Sequence, residues 1–165
     1  MKQLLCIALC TAFLFAGMAE VTQTTPTEWS VDEPHITEPA EPVLQSTARY
    51  ELTAEERDLV ERVVMAEAGG ESHEGKMAVA QCILNACERD SKRPCEIVVD
   101  YQYSTDRPEP TDEVRAAVSD VFDKGETVTE AKILFFYAPA RVSSEFHESQ
   151  TYVMTVGGHR FFEER

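Results

Sequence analysis

Glu67 and Glu71 stand on either side of a Gly69-Gly70 pair, and each is a carboxylate able to move a proton. Glu67 lies in Val63-Val64-Met65-Ala66-Glu67-Ala68-Gly69-Gly70-Glu71. Val60, Val63 and Val64 precede it by seven, four and three residues, spacings that share one helical face. A carboxylate is therefore placed on the apolar side of a helix, just before the glycines that end it. Desolvation in such a place raises a carboxyl's pKa and keeps it protonated near neutral pH, ready to donate. The plainer reading of the same position is a helix-end Glu that reaches back to water. Glu71 lies beyond the glycines, out of helical register with Glu67. As a second carboxylate it would support attack by water. As a cap it would favour the dipole of the next helix.

Cysteine and histidine chemistry is less favoured. The chain has five cysteines, of which Cys6 and Cys10 fall in the apolar N-terminal run. Cys82 and Cys87 sit on one helix and point apart. Cys87 and Cys95 bracket the polar stretch Glu88-Arg89-Asp90-Ser91-Lys92-Arg93-Pro94, so a disulfide closing that loop is one reading and free, buried thiols the other. None has a nucleophile-like setting. There is no Cys-x-x-Cys, and His73-Glu74 has no second His at zinc-helix spacing, so no metal and no cofactor are expected.

The elements that must hold Glu67 begin near Leu52. Thr53-Ala54-Glu55-Glu56 reads as a capping box, opening a helix that runs to about Ala68. A second helix covers about His73 to Cys87, with Val79, Ala80, Ile83 and Leu84 as its buried stripe and Gln81 and Asn85 as a polar pair. A short helical or irregular stretch follows through Ile97-Val98-Val99. Thr111 caps a further helix, whose Val114, Ala117, Val118, Val121 and Phe122 repeat at threes and fours and which Gly125 ends. Ile133 to Tyr137 reads as a buried strand. Thr151 to Val156 and His159 to Phe162 flank Gly157-Gly158, a two-residue hairpin turn. Helices first and a small antiparallel sheet after them make an α+β domain.

Length allows one such domain, over residues 51–165. Before it, Lys2, the apolar run Leu4 to Gly17 and the small residues of Gly17-Met18-Ala19 read as a secretory signal, residues 1–19, cleaved after Ala19. Residues 20–50 are rich in Thr, Glu and Pro and read as an acidic, mobile tether, with Trp29 as its one large aromatic. The formal charge is −15, and it disfavours nucleic acid as a partner, because phosphate binding needs a basic face. A secreted or envelope-located monomer, with no stable membrane insertion after cleavage, is the expectation.

Five blocks in order resemble the spore-cortex-lytic type of cell wall hydrolase, the SleB/CwlJ family. They are Ala66-Glu67-Ala68-Gly69-Gly70-Glu71; Glu74-Gly75-Lys76-Met77-Ala78-Val79-Ala80 with Ile83-Leu84-Asn85; Gln102-Tyr103-Ser104, where the family has Gln-Phe-Ser; Phe136-Tyr137-Ala138-Pro139, similar to Phe-Tyr-Asn-Pro; and Val156-Gly157-Gly158-His159-Arg160-Phe161-Phe162, similar to Ile-Gly-Asn-His-x-Phe. Ala138 and Gly158 depart from the family's Asn at those places, and the acidic tether is expected to stand where many relatives carry a separate peptidoglycan-binding domain. The resemblance implies a lysozyme-like, lytic-transglycosylase-like fold, peptidoglycan glycan strands as the partner, and Glu67 as the catalytic acid.

One carboxylate suffices if the substrate's own hydroxyl replaces water, as in a lytic transglycosylase acting at the MurNAc-GlcNAc bond. A hydrolytic muramidase would use Glu67 and Glu71 together. Substrate-binding candidates are Glu71, the amide and hydroxyl of Gln102 and Ser104, the flat faces of Tyr103 and Tyr137, and Arg141 for a peptide-stem carboxylate. His159, with His147, would orient groups in the cleft. Tyr103 and Tyr137 read equally as core aromatics. A peptidoglycan-binding module without turnover is the rival from another class, and a cysteine peptidase or amidase is a third.

Overall fold

The computed structural model describes residues 49–165, so the leader and almost all of the tether lie outside the described residues. Helix α1 spans Ala54–Ala68. Its start follows from the capping box: the Thr53 hydroxyl accepts the Glu56 N–H, and the Glu56 carboxylate accepts the Thr53 N–H at 2.9 Å. Val60, Val63 and Val64 are fully buried, as their spacing requires.

Helix α2 spans His73–Asp90 and is capped by Ser72. It runs past Cys87, because Glu88, Arg89 and Asp90 continue the helix before Ser91 turns the chain at a φ of 54°. Val79, Ala80, Ile83 and Leu84 fill the core against α1 and against helix α4, Asp112–Phe122. Between them lies the short helix α3, Pro94–Asp100, with Pro94 in its first turn, where the missing N–H costs nothing.

Gln81 and Asn85 are buried, and both are used. Gln81 accepts the Val128 N–H and donates to the Thr129 carbonyl, each at 2.8 Å, and Asn85 donates to the Ile133 carbonyl at 2.9 Å. Two side-chain amides thus satisfy an irregular segment that would otherwise bury unpaired backbone groups. They also fix where the chain enters strand β1, Phe135–Tyr137.

Helix α5, Glu145–Glu148, occupies what reads in sequence as a loop, and Ser144 caps it. Strands β2, Thr151–Val156, and β3, His159–Glu163, form the hairpin. The sheet is antiparallel in the order β1-β3-β2, with Phe135 opposite Phe162 and Val156 opposite His159. A bulge falls between Tyr152 and Met154. Phe161 and Phe162 on the central strand are fully buried.

The domain also takes in Arg49 and Tyr50, which the sequence assigns to the tether. Their N–H groups donate to the Phe122 carbonyl, and the Arg49 guanidinium bonds Glu88 and Asn85. Cys87 and Cys95 are not bridged. Cys87 is buried beside Tyr50, whereas Cys95 is exposed in the first turn of α3. Among the described residues no helix is long and apolar enough to cross a membrane.

Candidate active site

A cavity of about 760 Å³ opens beside the C-terminal turn of α1. Glu67 and the segment Tyr101-Gln102-Tyr103 line it, together with Phe135 and Phe136 of β1 and Ser144, Phe146 and His147 of α5. Arg89, Asp90 and Asp100 add charge to the lining.

Glu67 is half-buried, and its Oε1 accepts the Ser104 N–H at 2.6 Å. That bond ties the carboxyl to a chain turn that is itself fixed. Ser104 Oγ accepts the Asp106 N–H at 3.1 Å, and the Ser104 carbonyl accepts from the Arg107 guanidinium. Oε2 makes no hydrogen bond within the protein among the described residues. Helix position, valines on one face and a held carboxyl are thus brought to the wall of a cavity.

Aromatic rings supply much of the remaining wall. Tyr101 and Phe135 stack at 5.9 Å, and Phe146 meets Phe135 edge-on at 5.2 Å. Tyr103 packs on Phe136 at 5.9 Å. Phe146 is more than half exposed, so its ring is presented to solvent at the edge of the cavity. The Tyr103 hydroxyl is buried with no hydrogen-bond partner, and burial pushes its pKa well up, so it stays a neutral donor. His147 Nδ1 lies 2.6 Å from Ser144 Oγ, and burial lowers the imidazole's pKa, which keeps it neutral at pH 7.

Of the sequence-derived candidates, Glu67, Gln102, Tyr103 and His147 line the cavity, and Ser104 adjoins it through its N–H on Glu67. Glu71, Tyr137, Arg141 and His159 do not line it. Glu71 faces the hairpin turn, where its carboxylate accepts the Gly158 N–H at 3.2 Å and lies 3.3 Å from His159 Nδ1. It does not cap α2, because the Ser72 hydroxyl takes that place by accepting the Gly75 N–H. Glu71 and His159 therefore bind each other, and what they join is the α1–α2 loop and the β2–β3 turn. Tyr137 is buried and its hydroxyl donates to Glu148, which also holds Arg160 at 2.7 Å. Arg141 is exposed in the turn after β1, where the Ala138 carbonyl accepts its N–H at 2.9 Å.

Sequence reasoning missed Tyr101, Phe135, Phe136 and Phe146 as lining residues. The run Phe135-Phe136-Tyr137 reads as core, and only the hydrophobic residue Phe146 inside a polar stretch signals a surface role. Among the described residues no three His, Cys, Asp or Glu side chains are grouped to hold a metal ion.

Residues 70–162 match the family model described as Cell Wall Hydrolase. The chain belongs to the cell wall hydrolase family. The matched span begins just after Glu67. This cell wall hydrolase is similar in structure to the catalytic domain of the germination-specific lytic transglycosylase SleB from Bacillus anthracis, with a TM-score of 0.56 and 22% identity over 68% of this chain and 97% of that one. It is similar also to the catalytic domain of the Bacillus cereus SleB protein, with a TM-score of 0.54 and 23% identity over 68% of this chain and 93% of that one. No curated protein sequence matches it. The helical domain with a small antiparallel sheet is the SleB catalytic-domain fold, as the resemblance implied.

Proposed function

We propose that this cell wall hydrolase cuts peptidoglycan glycan strands at the MurNAc-GlcNAc bond as a lytic transglycosylase, with Glu67 as its one catalytic carboxyl. The observation that carries the reading is the Glu67 carboxyl, half-buried at the wall of an aromatic-lined cavity and held by the Ser104 N–H at Oε1.

The chemistry follows from that bond. An N–H donor at Oε1 makes that oxygen the acceptor, so the acid's proton belongs on Oε2. Glu67 gives this proton to the glycosidic oxygen as the bond from C1 to that oxygen breaks. The 6-hydroxyl of the same muramyl residue then attacks C1. Its proton passes to the Glu67 carboxylate, which restores the acid and leaves a 1,6-anhydro end. No water is consumed, and no second carboxylate is required. The engagement of Glu71 with Gly158 and His159 supports this route over the two-carboxylate one, because Glu71 is already occupied in holding the hairpin. Tyr101, Phe135 and Phe146 offer apolar faces on which pyranose rings can lie. The leader and tether expected before residue 51 fit a monomer working outside the cytoplasm on the envelope.

Glu67→Gln keeps the Ser104 bond and removes the proton. It is expected to leave the fold intact and to reduce clearing of purified cell walls by at least about a hundredfold, the lower range of general-acid contributions. Clearing at the parent rate by a folded variant would overturn the assignment.

A further inference from the structure

Gln102 holds a backbone conformation that a glycine would hold at less cost. Helix α3 ends in a Schellman motif: the Gln102 N–H donates to the Val99 carbonyl and the Tyr103 N–H to the Val98 carbonyl, each at 3.1 Å. The residue between cap and exit must take a left-handed conformation, and Gln102 sits there at a φ of 57°. Glycine is the ordinary occupant of that place. The motif turns the chain so that Tyr103 enters the core and the Ser104 N–H meets Glu67. Every backbone bond in it would survive a glycine. What glycine would remove is the Gln102 side chain, which is exposed and lines the Glu67 cavity.

We propose that Gln102 is a substrate-binding residue, kept at a strained position because its amide hydrogen-bonds the uncharged polar groups of an amino sugar lying against Glu67. This rests on the glycan-cleaving reading above. The backbone places the amide two residues before the N–H that holds the catalytic carboxyl, so a sugar bound by Gln102 is also placed at Glu67.

Ser91 supplies an internal control. It is the other non-glycine residue at positive φ among the described residues, at 54°, and it is exposed in the α2–α3 turn and, unlike its neighbour Asp90, does not line the cavity. Glycine at either position relieves the same backbone strain. Gln102→Gly and Ser91→Gly are each expected to lower the unfolding equilibrium constant by about fivefold or more. Only Gln102→Gly should lose activity, with kcat/KM on soluble glycan fragments down about tenfold, mostly through KM, the loss of one or two neutral hydrogen bonds. Gln102→Ala, which cannot loosen the turn, should lose as much, and Gln102→Asn should recover part of it.

Stability and activity moving in opposite directions is the signature, since a merely structural Gln102 would gain or keep both. A Gln102→Gly variant with parent kcat/KM, or one whose loss is all in kcat, overturns the proposal while leaving the glycan reading intact. A parent that neither binds nor cuts glycan overturns both.

Discussion

Gly157→Ala is the substitution whose cost can be worked most fully from the structure. Gly157 begins the β2–β3 turn at a φ of 55°, and a Cβ built there would lie 1.7 Å from Glu71 Oε2. Two penalties follow. The left-handed backbone costs about 1–2 kcal/mol for any residue with a Cβ. The methyl must also push the Glu71 carboxylate off the Gly158 N–H and away from His159, losing a charge-assisted hydrogen bond of about 1.5–3 kcal/mol. Together they come to about 2.5–5 kcal/mol, a large share of the ~5–15 kcal/mol that holds a domain of this kind. The melting temperature should fall by about 10 °C or more. Urea melts of the parent, Gly157→Ala, Glu71→Ala and the double variant form a cycle. With Glu71 already cut back, the methyl meets no carboxylate, so only the backbone term remains and the coupling should be about 2 kcal/mol. A Gly157→Ala variant at parent stability would refute the reasoning. So would two costs that simply add, because the clash and the clamp would then not be the same event.

Phe146→Ala should raise KM for soluble glycan fragments several-fold with little change in stability, because the ring is more than half exposed at the cavity edge; unchanged kinetics would remove Phe146 from the binding wall. Of the three cysteines among the described residues, thiol labelling of the folded protein should modify Cys95 alone, and it should leave wall clearing untouched. Cys95 is exposed, whereas burial pushes the Cys87 thiol up to about 12 and the Cys82 thiol higher still. The Arg93 guanidinium bonded to Glu56 holds its carboxyl below the ordinary value of 4.5. A lowered folded pKa contributes stability that is full above 4.5 and lost as pH falls through the lowered value, so acid melts of Glu56→Gln should show a shallower decline there than the parent.

What the sequence made legible is what short-range patterns encode. Thr53 and Glu56 announce a helix start three residues apart, and the valines before Glu67 report which face is buried. The glycine pair at Gly157-Gly158 marks a hairpin, because few other residues accept its geometry. The half-buried placement of Glu67 beside the valine face was readable, because the spacing that sets it is local. Glu71 was not, because its partner Gly158 lies 87 residues further on and nothing nearby distinguishes a clamp from a cap. Tyr137 and Phe135 show the same limit: an aromatic run gives burial, not which ring faces the cavity and which faces the core. The sequence left a Cys87–Cys95 bridge and free thiols equally open, because spacing alone does not say whether two cysteines meet; both are free, Cys87 buried on α2 and Cys95 exposed on α3.

The most direct test is mass spectrometry of the soluble fragments that the parent and Glu67→Gln release from purified sacculi. Fragments ending in 1,6-anhydro muramyl residues from the parent, and none from Glu67→Gln, are the expected result. Reducing ends from the parent, or anhydro fragments from Glu67→Gln in parent amounts, would contradict a single carboxyl at Glu67 acting as both acid and base.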